Sequence, residues 1–123
     1  MEQMAGHNDL GRLGEALAQQ HLIQKGYQIL AQNWRHGRAE VDLIAYFQHR
    51  VVFIEVKTRS SIAFGRPETF VSNAKQKLLE YAANEYIYLR KHIGEIRFDI
   101  VSILFDTPHK YTINHIEDAF WPA

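Results

Sequence analysis

Cysteine is absent from the 123-residue sequence. That excludes thiolate-bound zinc, iron–sulfur clusters, dithiol redox chemistry and thiol nucleophiles, and it suits a reducing compartment. Long apolar runs are also missing: nothing approaches the roughly 18 residues of a membrane-spanning helix, and the N-terminal region holds no signal-peptide core. There is no net charge, with 14 Lys and Arg against 14 Asp and Glu, so the whole-chain balance argues for no partner. No repeat, low-complexity tract or linker interrupts the chain. The seven histidines offer no i, i+4 pair of the kind that binds zinc from one helix. Gly11-Arg12-Leu13-Gly14 lacks the preceding strand and the lysine of a phosphate loop, and no nucleophilic serine arrangement is visible. The expectation is a soluble, cytoplasmic protein.

What is present is an ordinary globular composition, 46% apolar and 23% charged, able to build a core without disulfides or structural metal. The length fits one domain, read as residues 9–123 after a loose polar terminus at 1–8. Charge is uneven along it. Residues 34–77 carry eight basic side chains against four acidic ones: Arg35, Arg38, Arg50, Lys57, Arg59, Arg66, Lys75 and Lys77. Such clustering matters to a phosphate ligand because screening limits charges to about 8 Å at physiological salt. Ordinary surface charge is the plainer reading of the same residues.

Apolar periodicity predicts a helix capped by Asp9, with Leu10, Leu13, Leu17 and Ala18 facing inward, ending at Lys25-Gly26. Glu15 falls near the margin of that stripe. Strands follow over 27–34, 39–47 and 50–58; the last two, joined by Gln48-His49, make an antiparallel hairpin. A loop over 60–70 holds Gly65 and Pro67. Ser72 or Asn73 then caps a second helix with Ala74, Leu78, Tyr81, Ala82, Tyr88 and Leu89 inward. A fourth strand over 96–105 and an extended stretch at 111–116 complete an α/β domain, a central mixed sheet flanked by helices.

Two strands break their own pattern. Val51 to Ile54 is a run suited to burial on both sides, yet Glu55 and Lys57 emerge from it on one face. Val41, Leu43 and Ala45 share a face in the preceding strand, with Glu40 and Asp42 opposite. Pairing the strands makes Asp42 and Glu55 neighbours. Two close carboxylates raise one another's pKa unless a cation sits between them, and one lysine cannot neutralise Glu40, Asp42 and Glu55 together. Mg²⁺ can, taking one or two carboxylates with waters and phosphate oxygens. With Lys57 about 6–7 Å along the strand, these parts match metal-assisted phosphodiester hydrolysis.

The segments Gly14-Glu15, Ala39-Glu40-Val41-Asp42-Leu43-Ile44-Ala45, Val52-Phe53-Ile54-Glu55-Val56-Lys57-Thr58-Arg59, Arg97-Phe98-Asp99 and Asp118-Ala119-Phe120 resemble the bacterial YraN-type family. That family is an endonuclease-like branch of the PD-(D/E)XK nuclease superfamily, related to archaeal Holliday junction resolvases. The resemblance implies a restriction-endonuclease-like core. It implies that Asp42 and Glu55 bind Mg²⁺ (Mn²⁺ as substitute), with the Val56 carbonyl and the helix acid Glu15 joining, and that Lys57 is the catalytic lysine. Ala39 stands where the family has glycine. Lys75, Gln76 and Lys77 match a region that contacts substrate in many relatives.

The resulting expectation is a metal-dependent DNA endonuclease, acting on branched or single-stranded DNA as readily as on duplex, with Arg35, Arg38, Arg59, Lys75 and Lys77 holding the backbone. Resemblance to resolvases implies a homodimer. A nucleic-acid-binding module that keeps the fold without cleavage is the alternative, and a structural partner protein is a third.

Overall fold

The computed structural model describes residues 7–60 and 71–121. Two helices and five strands are present among them: α1 (His7–Gln24), β1 (Gln28–His36), β2 (Ala39–Phe47), β3 (Arg50–Ser60), α2 (Asn73–Arg90), β4 (Ile96–Thr107) and β5 (Lys110–Ile116). The strands form one mixed sheet in the order β1-β2-β3-β4-β5. Only β3 and β4 run parallel, and α2 supplies the crossover that parallel neighbours require. The extended stretch near the C-terminus is a fifth strand paired with β4. No helix among the described residues is long and apolar enough to cross a membrane. Residues 61–70, where a loop with Gly65 and Pro67 is expected and Arg66 lies, fall outside the description, as do residues 1–6 and 122–123.

One helix covers each face. Leu10, Ala18 and Leu22 of α1 pack on Leu43, Ala45, Val52, Ile54, Val101 and Ile103. Leu79, Ala82, Ala83 and Tyr86 of α2 pack on Val41, Ile44, Val51, Phe53, Phe98 and Ile100. Val51 to Ile54 is buried throughout, as a strand covered on both sides must be.

Three local expectations are corrected. Helix α1 begins at His7, so Asp9 is not its cap; it sits in the first turn, paired with Arg12 at 2.6 Å. The buried row of α1 is Leu10, Gly14, Ala18 and Leu22, while Leu13 is exposed, because Gly14 sets the closest approach. A Cβ on Gly14 would collide with the Thr58 hydroxyl of β3. That contact brings the next residue, Glu15, to the end of β3 that carries Glu55. In α2, capped by Ser72 as expected, Leu78, Tyr81, Tyr88 and Leu89 point to solvent. The small Ala82-Ala83 pair lets the helix lie close to the sheet, turned by about one residue from the expected stripe.

At the start of β4 the core holds a charge cluster. Asp99 is fully buried; it accepts two hydrogen bonds from Arg97 at 2.8 Å, one from His115 Nε2 at 2.7 Å and one from the Asp118 N–H at 3.0 Å. Burial alone would raise its pKa, but the bonds from His115, Arg97 and Asp118 outweigh that and hold it below the usual carboxylate value. Lys25 Nζ lies 2.9 Å from His115 Nδ1; donating there, it leaves Nε2 to carry the proton offered to Asp99. The cluster ties β5 and the following residues to β4 and to the end of α1.

Candidate functional site

Strands β2 and β3 pair from Phe47↔Arg50 as far as Leu43↔Ile54 and then part, while β3 stays paired with β4 up to Ser60↔Phe105. Asp42 and Glu55 stand at the parting. The Val56 N–H donates to Asp42 Oδ2 at 2.8 Å, so the carboxylate replaces the strand partner that β2 no longer supplies. The expected alternation along β2 is broken here. Val41 faces α2 with Ile44, whereas Leu43 and Ala45 face α1. Opposite Asp42 in the β1–β2 hairpin stands Asn33, whose φ of 48° is left-handed, a conformation asparagine tolerates better than most residues. The change of facing at Asn33 and Asp42, made without a shift of register, turns the aspartate into the gap between strands.

The carboxylates crowd one another. Asp42 is pushed up to about 9, first by burial and then by its hydrogen bond to Glu55 and the Glu55 charge, against the opposing Val56 N–H. Glu15 is also raised, by burial first and then by Glu40 and Glu55, with a hydrogen bond from Asn33 opposing. One of its oxygens, Oε1, is buried without any hydrogen-bond partner. Glu55 meets Lys75 of α2 at 3.2 Å. Beside this pair opens a cavity of about 360 Å³ lined by Glu55, Val56, Lys57, Thr58, Arg59 and Lys75, among others. On the α1 side, a smaller cavity of about 190 Å³ is bordered by Glu15, Asn33 and Gln32.

The fold thus brings Asp42, Glu55 and Val56 into contact, sets Lys57 and Arg59 along one cavity, and leaves Glu15 close enough to share their electrostatics. Arg59 also donates to the Thr58 carbonyl at 2.8 Å. Arg35 pairs with Glu40 across the hairpin at 2.8 Å; Arg38 in the turn and Lys77 on α2 are exposed. Asn33 was not signalled by strand periodicity, which has no symbol for a left-handed residue inside a strand. The pairing of Lys75 with Glu55 was not signalled either, because it depends on where α2 lands.

Residues 14–103 match the uncharacterised protein family UPF0102. A UPF0102 protein of Flavobacterium psychrophilum is 48% identical over 118 residues, covering 96% of this chain and 98% of that protein. The chain belongs to the UPF0102 family. A further UPF0102 protein, from Phocaeicola vulgatus, is 42% identical over 122 residues, covering 97% of this chain and 98% of its own length. The segment matched to UPF0102 spans α1 from Gly14 through most of β4, and so contains the whole carboxylate fork.

The donor set is tested by what it leaves unsatisfied. Among the described residues no three His, Asp or Glu side chains are grouped closely enough to enclose an ion alone. Mg²⁺ needs only one or two carboxylates, with water or backbone oxygens completing its shell. An all-oxygen set with an orphaned Glu15 atom and an Asp42 carboxyl whose pKa burial and Glu55 push up to about 9 fits a hard cation, which would relieve both.

The raised acids carry a consequence for stability. A carboxyl whose pKa is higher folded than unfolded binds more protons in the folded state, so stability is greatest below the unfolded value and falls as pH rises toward the folded one. For Asp42 that window runs from its ordinary 3.8 to about 9, and Glu15 adds in the same direction. The melting temperature in chelator is expected to drop by roughly 5 °C or more between pH 5 and pH 9, and millimolar Mg²⁺ is expected to narrow that drop. A flat profile would remove the repulsion inferred here.

Proposed function

We propose that this protein is a metal-dependent phosphodiesterase acting on DNA, with a restriction-endonuclease-like core and a PD-(D/E)XK-type site. The observation that carries the reading is the fork itself: Asp42 and Glu55 in hydrogen-bond contact where β2 leaves β3, with burial first and Glu55 second pushing the Asp42 pKa up to about 9. Asp42, Glu55 and the Val56 carbonyl would hold Mg²⁺ or Mn²⁺, and Glu15 would orient water in the shell. When bound, the cation supplies Lewis acidity and lowers the pKa of a water.

The chain's own groups do the rest. The Val56 N–H fixes the Asp42 carboxylate. Lys57, on the Glu55 side of β3 and beside the larger cavity, places an ammonium where negative charge grows on a phosphate in the transition state. Arg59 at the same cavity, with Arg38 and Lys77 further out, contacts backbone phosphates without reading bases. Since such contacts read charge and shape, branched and single-stranded DNA are suited as well as duplex.

A binding module without cleavage is favoured by one observation, the Lys75–Glu55 pair that partly neutralises the fork from within. The two readings separate on linear, branched and single-stranded DNA incubated with Mg²⁺ or Mn²⁺. Cleavage that stops with chelator is the expected result. Salt-sensitive binding with every substrate left intact would establish the module instead.

A further inference from the structure

Lys75 is the third residue of α2, its N–H donating to the Ser72 cap at 3.2 Å. Its ammonium stands 3.2 Å from Glu55 Oε2. The partners differ in setting: the Glu55 side chain is 11% exposed and that of Lys75 is 44% exposed. A nearly buried carboxylate therefore takes its compensation from a lysine rooted on another element and bordering an open cavity.

We propose that Lys75 is the built-in counterion of the fork, and that its ammonium and a divalent cation are alternative partners of the Glu55 carboxylate. The inference rests on the metal-site reading above. Both partners cannot occupy the same oxygen without bringing like charges into contact. The lysine end of the pair is exposed, and the four-carbon stem of lysine swings without backbone movement. Displaced from Glu55, the ammonium remains at the cavity lined by Lys57, Thr58 and Arg59. There it adds positive charge facing a phosphate. Cation binding and phosphate binding would then favour one another, as linkage requires.

The test uses metal binding rather than turnover. Mn²⁺ is titrated by calorimetry, without nucleic acid, into the wild type and Lys75→Met, whose folding is checked by thermal melting. In parallel, acetylation of Lys75 in the wild type by an N-hydroxysuccinimide ester is followed by mass spectrometry with and without saturating Mg²⁺, Lys77 serving as reference. Lys75→Met is expected to bind Mn²⁺ about threefold more tightly or better, and Lys75 is expected to react several-fold faster with Mg²⁺ while Lys77 does not change. Equal Mn²⁺ affinity in the two proteins, or Lys75 reactivity indifferent to Mg²⁺ in a wild type that binds metal, overturns the counterion role and leaves the metal site standing. Failure of both proteins to bind Mn²⁺ overturns the metal site and this inference with it.

Discussion

Asp42→Asn is expected to lower Mg²⁺-dependent cleavage by a factor of about 10³ or more and, at the same time, to raise the melting temperature of the metal-free protein above pH 7. The two effects share one cause. Asp42 is confined beside Glu55 with its pKa near 9, so at neutral pH the folded state holds a proton that the unfolded chain has released. An amide of the same shape keeps an acceptor for the Val56 N–H, now at 2.8 Å from Oδ2, and can donate to Glu55 without any proton uptake. A gain of about 1–3 kcal/mol at pH 8 follows from removing the mismatch, and the pH dependence flattens. On the proposed reading the same change also deletes a cation ligand. An aspartate kept only to brace Val56 would behave oppositely, costing stability and leaving metal binding intact. Circular-dichroism melts at pH 5, 7 and 9, together with a cleavage assay, distinguish the two.

Asp99→Ala is expected to destabilise the fold by about 3–5 kcal/mol, because it strands the Arg97 guanidinium without its carboxylate. Four hydrogen bonds end on Asp99, from Arg97 twice, from His115 and from the Asp118 N–H. Arg97 would keep only Tyr27 Oη, at 2.6 Å. The melting temperature should fall by roughly 10 °C or more. Asp99→Asn, which retains an acceptor, should lose less. A fall of under about 3 °C for the alanine variant would mean the cluster is not what fastens β5 to the sheet.

Much of this was legible in the residues. The run from Val51 to Ile54 required cover on both faces, and the sheet gives it a helix on each side. Carboxylates following such a run had to meet a partner or a cation, and Asp42 and Glu55 do meet. Asp99 pairs with Arg97, two residues away on the same strand. Other features rest on relations that a one-dimensional period does not encode. Val41 changes face next to Asp42, opposite which Asn33 is left-handed, a property of the paired hairpin. The α2 stripe is misjudged at Leu78, Tyr81, Tyr88 and Leu89 because apolar identity alone cannot rank a small alanine pair above large side chains. Lys75 looked like one more member of a basic patch, yet its ammonium reaches the Glu55 carboxylate of β3.

The fork between β2 and β3, read as a cation site, can be tested directly. Crystals soaked in Mn²⁺, with data collected at the manganese edge, address it without depending on substrate choice. An anomalous peak in contact with the carboxylates of Asp42 and Glu55 is the expected result. Millimolar Mn²⁺ giving no peak there, with the two carboxyl groups still bonded to each other, would contradict it.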